Sequence, residues 1–299
     1  QPAGLKLVRA MQRARPRLPQ VACFDTAFHR TQAPLVTRMA IPRALHEEGV
    51  RRYGFHGLSY ESIADTLRNE EPDLLAKKLV VAHLGSGASL CAMRNLESVA
   101  TTMGFSALDG LMMGTRTGAL DPGALLYLME IEKLSLDEVG QLLYHRSGLL
   151  GVSGISPEPR RIVEHEADEG EAGERARLAL ELYVRRIVRE IGALVAVLGG
   201  LDMLVFTAGV GEHNDFIRER VCAGLAFLGV RLDAAANAGE QHQRGGGGVL
   251  APARQGAERD EAGQVERALA AEQSPLDGVL EQRSVHLGGR VVEFDPEHR

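Results

Sequence analysis

Tryptophan is absent from this 299-residue chain, and aromatic residues make up only 4% of it. Lys+Arg total 34 against 40 Asp+Glu, so the net charge is −6 and no basic stripe interleaved with aromatics is present. Both absences argue against nucleic acid as a partner and leave small-molecule chemistry as the expected business of the protein. Cysteine is scarce as well. Cys23, Cys91 and Cys222 are widely separated in apolar runs and lack zinc-ligand spacing, which predicts reduced core thiols in a cytoplasmic protein. The N-terminal stretch QPAGLKLVRAMQRARPRLPQ has no initiator methionine and no apolar signal-peptide core. Neither a secretion signal nor a membrane span is expected, and the segment reads as a chain that begins mid-protein.

What is present is a 44% apolar composition, enough for real cores in about two domains. The stretch that organises the chain is KLVVAHLGSGASLCAM, Lys78 to Met93. Leu79 to Ala82 read as a buried strand and Ala88 to Met93 as a second, with Gly85-Ser86-Gly87 turning between them. Without a Cβ at Gly85 or Gly87 an anion can approach the backbone N–H groups, and Ser86 and Ser89 add hydroxyl donors. A plain hairpin is the alternative.

Upstream, Val21 to Phe24 reads as a short strand delivering Asp25, Thr26 and His29 into a loop, with Asp25 either a site residue or a turn cap. Pro34 and Pro42 keep the following segment irregular. His56 precedes a helix expected from Leu58 to about Asn69, as a core histidine or a site residue.

Downstream, Thr101 to Gly123 is Gly-rich yet apolar and reads as an ordered, partly buried loop carrying Arg116, a residue suited to phosphate or carboxylate. Asp121-Pro122 and the capping box Ser135 to Glu138 start two helices. Gly148 to Arg160 reads as another glycine-rich loop. His165 lies in an acidic, solvated stretch and is not expected to bind metal. A long helix runs from about Glu174 to Leu198 with Leu178, Leu182, Ile187, Ile191, Leu194 and Leu198 on its core stripe. Met203 to Thr207 is a buried strand, followed by a glycine loop from Ala208 and a helix carrying Ile217, Val221, Leu225 and Leu228. That arrangement suits an anion at a helix N-terminus. Helices alternating with strands predict an α/β domain. Beyond Asp233 the chain turns Gly- and Ala-rich and charged, which predicts a largely disordered tail.

In order, FDTAFH (24–29), RRYGFHG (51–57), AHLGSGAS (82–89), TMGF with GLMMGTRTG (102–118), SGLLGVSG (147–154) and FTAGVGE (206–212) resemble the acetokinase family. The resemblance implies an actin-like ATPase (ribonuclease H-like) α/β fold of two similar lobes, of which this chain would hold mainly the second. Residues 1–50 would be a remnant of the first lobe and the connection, 51–236 the nucleotide-binding lobe, and 237–299 the divergent tail. The implied reaction is transfer of the γ-phosphoryl group of ATP to acetate or a similar short carboxylate, giving ADP and an acyl phosphate, with Mg2+ on the nucleotide.

The same resemblance assigns Arg116 and His56 to the transferring phosphoryl oxygens, and Asp25 to orienting the metal, the arginine or the attacking group. His83, Leu84, Gly85, Ser86 and Gly87 would cradle the nucleotide phosphates. Glu158, Pro159 and Arg160, with Gly209, Val210, Gly211, Glu212 and His213, would border the adenosine. No metal ligand is assigned, because the family's C-terminal glutamate has no counterpart after Asn237.

Several positions depart from the family pattern: Ser86 replaces asparagine, Ala100 and Glu158 replace aspartate, and Leu58 and Tyr60 replace threonine and histidine. The family's N-terminal lobe, with its Asn-x-Gly-Ser-Ser-type loop, is missing. An active phosphotransferase and an impaired remnant that binds nucleotide or dimerises through the long helix are the alternatives. An incomplete product with uncovered apolar surface is a third.

Overall fold

A computed structural model describes residues 2–70, 73, 75–239 and 290–293. Its helices are α1 (Pro2–Ala14), α2 (Pro34–Thr37), α3 (Arg43–Glu47), α4 (Gly57–Glu70), α5 (Pro122–Glu130), α6 (Leu136–His145), α7 (Gly148–Ser153), α8 (Pro159–Val163), α9 (Glu171–Leu198), α10 (Ala208–His213), α11 (Asp215–Gly224) and α12 (Ala234–Gly239). The strands are β1 (Lys78–Leu84), β2 (Ala88–Arg94), β3 (Glu97–Thr101), β4 (Met203–Thr207) and β5 (Arg290–Glu293).

These strands form one mixed sheet in the order β3-β2-β1-β4-β5. β1 and β2 make the expected antiparallel hairpin, while β1 and β4 run parallel, joined through the long excursion that contains α9. Strand side chains alternate between faces, and the sheet uses both. Val80, Ala82, Leu84, Leu90, Ala92, Leu204 and Phe206 belong to one core with Ala179, Leu180, Tyr183, Ile187 and Ile191 of α9. Leu79, Val81, Cys91, Met93 and Val205 belong to a second core with Tyr60, Ile63, Ala64 and Leu67 of α4. A strand covered on both faces reads as a continuous apolar run, which is why LVVA was legible as buried.

Local signals set several boundaries. The Asp121 side chain accepts from Gly123 N–H and Pro122 opens α5. The Ser135–Glu138 capping box starts α6 with both of its hydrogen bonds formed. Between β3 and α5, residues 102–121 are partly buried and without regular structure, as expected.

Other expectations are corrected. Val21 to Phe24 is not a strand; it has no sheet neighbour among the described residues, and Val21 and Phe24 are exposed. Residues 2–14, for which no helix was expected, form α1, with Pro16 just beyond its end. Gly148–Ser153 is a buried helix, because Leu149 N–H and Leu150 N–H find acceptors in Met113 O and Gly114 O at 2.9 Å. The glycine loop expected at 208 is the short helix α10. On α9 the expected stripe residues Ile187, Ile191, Leu194 and Leu198 are buried and Leu182 packs against the core, but Leu178 is exposed and the N-terminal part of the stripe is made by Ala176, Ala179 and Leu180. Cys91 and Cys222 are buried and free, but Cys23 is exposed.

Next to position 236, α12 is fastened to the preceding helix. Asn237 is buried and accepts from Arg218 Nε at 2.7 Å, which ties α12 to α11. Within the stretch expected to be a disordered tail, Arg290–Glu293 pairs antiparallel with β4. The remainder of that expectation lies outside the described residues.

Candidate functional site

The hairpin register sets the site. His83 and Ser89 face each other across β1 and β2, on the sheet face covered by α4. That face receives the first turn of α4. Ser59 Oγ lies 2.9 Å from His83 Nδ1, Tyr60 Oη lies 2.5 Å from Ser89 Oγ, and His56 Nδ1 lies 2.8 Å from Ser89 Oγ.

His56 itself has φ 58°, an unusual backbone conformation for a residue other than glycine. Asp25 holds it there: its Oδ2 accepts from His56 N–H at 2.7 Å, and its carbonyl accepts from Gly57 N–H at 2.8 Å. The loop is pinned from below by buried His29, whose ring nitrogens lie 2.9 Å from Ser98 Oγ and from Phe55 O. Gln32 Nε2 donates to the same Ser98 hydroxyl at 3.0 Å.

Arg116 arrives from the opposite side. Its loop is fastened through Met113 N–H to Arg116 O, Ser147 N–H to Thr115 O, and Thr117 N–H to Leu143 O, all within 3.1 Å. The guanidinium Nη1 donates to Ala107 O at 2.8 Å. A Cβ built on Gly87 would lie 3.2 Å from Arg116 Nη2 and 3.2 Å from His56 Nε2. Gly87 therefore sits where a cation and a histidine nitrogen converge, and only a residue without a side chain leaves that space open.

The electrostatics favour an anion. Burial, above all, lowers the pKa of His56 to about 4; Asp25 opposes this, while Arg116 and His29 reinforce it. Burial and the neighbouring His56 push His83 down to about 3. Both imidazoles are neutral near pH 7, so Arg116 carries the positive charge at the turn.

The remaining candidates are met in pieces. A Cβ on Gly85 would lie 3.6 Å from the Ala208 Cβ and 3.5 Å from His83 Nε2, which brings the turn against the start of α10. Arg160 donates through Nη2 to His213 O, joining the 158–160 and 209–213 stretches. Glu158 precedes α8 at the surface without a side-chain capping bond and faces Arg161 at 3.7 Å. Glu212 is turned inward, accepting from Ala208 N–H at 2.8 Å and Thr207 Oγ1 at 3.2 Å, so its carboxylate braces α10. Val210 is half-buried against the core. Ser89, read as a phosphate donor, is fully buried and occupied by His56 and Tyr60.

Sequence reasoning placed His29 in the loop with Asp25 but gave it no role, and it missed Ser59 and Tyr60 as parts of this site. The signals available were the FDTAFH and GFHG motifs flanking them, but their contacts span 69 residues for His29–Ser98 and 29 for Tyr60–Ser89. No group of three or more His, Cys, Asp or Glu placed to hold a metal occurs among the described residues. The donor set at the turn is one carboxylate, Asp25, which fits Mg2+ only as an ion carried mainly by substrate phosphates.

A sequence model described as the Acetokinase family matches residues 1–253. The chain belongs to the acetokinase family. It is 53% identical over 253 residues to the acetate kinase of Rhodopseudomonas palustris, covering 84% of this chain and 61% of that one. To the acetate kinase of Rickettsia typhi it is 41% identical over 243 residues, covering 81% and 62%. The crystal structure of Porphyromonas gingivalis acetate kinase superposes with a TM-score of 0.75 at 40% identity, covering 83% of this chain and 61% of that one. A propionate kinase from Francisella tularensis gives a TM-score of 0.75 at 36% identity, covering 80% and 61%. The chain shares the actin-like ATPase fold of these acetokinase-family structures. It spans about 61% of the length of the relatives it matches.

Proposed function

We propose that this chain acts in reversible transfer of the γ-phosphoryl group of ATP to acetate or a similar short carboxylate, yielding ADP and an acyl phosphate. The observation that carries the reading is the convergence of Arg116 Nη2 and His56 Nε2, each 3.2 Å from a Cβ position at Gly87, beside a backbone turn open to phosphate. A carboxylate oxygen attacks the γ-phosphorus, the bond from phosphorus to the bridging oxygen breaks, and ADP leaves with the electron pair. The carboxylate is already ionised near neutral pH, so no proton must be removed and positioning with charge stabilisation does most of the work.

In this reading Arg116 holds the equatorial phosphoryl oxygens and neutral His56 donates to them. Asp25 keeps His56 aimed through its backbone N–H. Residues 83–87 cradle the nucleotide phosphates, with Arg160 and the 209–213 segment bordering the adenosine, so that 51–236 with α12 acts as the nucleotide-binding lobe. Mg2+ enters with the nucleotide, where it would neutralise phosphate charge. A cytoplasmic location suits the two buried free thiols, Cys91 and Cys222. A homodimer through α9 belongs to the same proposal, since Leu178 and Val197 leave exposed apolar side chains on that helix.

The relatives named acetate kinase and the neighbour named propionate kinase define the acceptors to compare. Acyl phosphate, trapped as the hydroxamate, should form from ATP, Mg2+ and acetate or propionate. Arg116→Ala should lower that rate by about 10²–10³-fold while the fold persists by circular dichroism. Absence of turnover with either acceptor at saturating nucleotide would overturn the reading.

A further inference from the structure

We infer that Tyr60 and Ser89 form a one-way hydrogen-bond relay that holds His56 in the tautomer with its proton on Nε2, presenting a fixed donor to an anion at the Gly85–Gly87 turn. The identity of that anion as a phosphoryl group rests on the function proposed above; the relay does not.

The relay follows from counting protons in a closed space. Tyr60 and Ser89 are both 0% exposed, so neither hydroxyl can turn to water. Among the described residues the Tyr60 hydroxyl has a single hydrogen-bond partner, Ser89 Oγ at 2.5 Å. A buried hydroxyl proton needs an acceptor, so Tyr60 donates to Ser89. Ser89 then has its own proton to place, and His56 Nδ1 lies 2.8 Å away. A nitrogen that accepts carries no proton, and in the neutral ring the proton must be on Nε2.

Each other arrangement leaves a buried proton stranded. If His56 Nδ1–H donated to Ser89 and Ser89 to Tyr60, the phenolic proton would have no acceptor. If His56 and Tyr60 both donated to Ser89, the serine proton would have none. Nε2 is the nitrogen that lies 3.2 Å from the Cβ position at Gly87, so the relay aims the donor at the open turn.

The relay also opposes charging of His56. A proton on Nδ1 would require Ser89 to accept from two donors and strand its own hydrogen. Asp25 favours the imidazolium; Arg116, His29 and the stacked His83 do not. Tyr60 and Ser89 are positioning residues: neither faces the turn, and both act through His56.

The test is nitrogen-15 NMR of the full chain labelled at histidine, with the His56 signals assigned by their loss in His56→Asn. At pH 7 the expected spectrum shows a protonated, pyrrole-type Nε2 and a pyridine-type Nδ1. In Ser89→Ala the donor to Nδ1 is gone, so both tautomers should be populated, whereas Tyr60→Phe leaves Ser89 its proton and should keep the His56 proton on Nε2. Finding Nδ1 protonated in the unmodified chain overturns the inference, and so does a Ser89→Ala variant with an unchanged tautomer. Should Ser89→Ala not fold, the tautomer in the unmodified chain decides. Because the readout needs no turnover, failure of phosphotransfer with the expected tautomer would remove the function and leave the relay.

Discussion

The imidazole of His56 lies flat against that of His83, with ring centroids 4.1 Å apart and planes 19° from parallel. Two rings at this distance are compatible with burial only while both are neutral, and each is held neutral, at about 4 for His56 and about 3 for His83, mainly by desolvation. The ordinary histidine value is 6.5, so on acidification the unfolded chain binds its protons first. Stability is therefore complete above pH 6.5 and is lost as pH falls towards 4. His56 alone should contribute a loss of about 2 kcal/mol by pH 5, with His83 adding to it. Urea denaturation at pH 7.5 and pH 5 measures this, and a flat profile would show the rings to be more solvated than their packing indicates.

Gly87→Ala should separate binding from folding. The added methyl meets Arg116 Nη2 and His56 Nε2 at 3.2 Å, both ends of side chains that can shift, so the fold survives. The space where an anion would enter is filled, and ADP affinity measured by calorimetry should drop by about tenfold or more, about 1.4 kcal/mol. Unaltered affinity would place the phosphates elsewhere.

Gly54→Ala should act on stability instead. Gly54 has φ +75°, and a Cβ there would lie 2.4 Å from the buried His29 ring. Strain and clash together should cost about 2 kcal/mol or more, seen as a lowered thermal midpoint. The displaced His29 should also free the Phe55 carbonyl it now meets at 2.9 Å, loosening the loop that carries His56.

Arg218→Leu should be more damaging than any surface change. Arg218 is 1% exposed, and its Nη1 donates to Gly211 O at 2.9 Å and Glu212 O at 2.7 Å while Nε reaches Asn237. Removal leaves those carbonyls buried without donors, and a loss of about 3 kcal/mol is expected in chemical denaturation. A tolerant variant would mean that α10 and α12 do not depend on this side chain.

Much of this molecule is legible in its residues, for local reasons. The run Leu79 to Ala82, the capping box at Ser135 and the Asp121-Pro122 start are decided by groups within a few positions of one another, and each is found as read. β3 was not foreseen, because its pairing with β2 is reached through Asn95 and Leu96, both at positive φ, and Leu96 is not a usual residue for that conformation. Gly148–Ser153 was misread because its glycines suggest a loop, whereas the acceptors that complete its first turn belong to Met113 and Gly114.

The ordered motifs determined by themselves the family and the α/β class, and they singled out Asp25, His56, Arg116 and the Gly85–Gly87 turn. Which of these meet was decided only by the tertiary structure. Strand alternation and register put His83 and Ser89 on the α4 face, and α4 then delivers Ser59 and Tyr60 to them. A one-residue slip in that register would have turned both side chains to the opposite face. The roles of Ser89 and Glu212 changed for the same reason: a hydroxyl or carboxylate that looks available in a sequence is spent wherever burial obliges it to satisfy a neighbour. Sequence supplies the chemical groups; desolvation and geometry decide which of them remain free to act on a ligand.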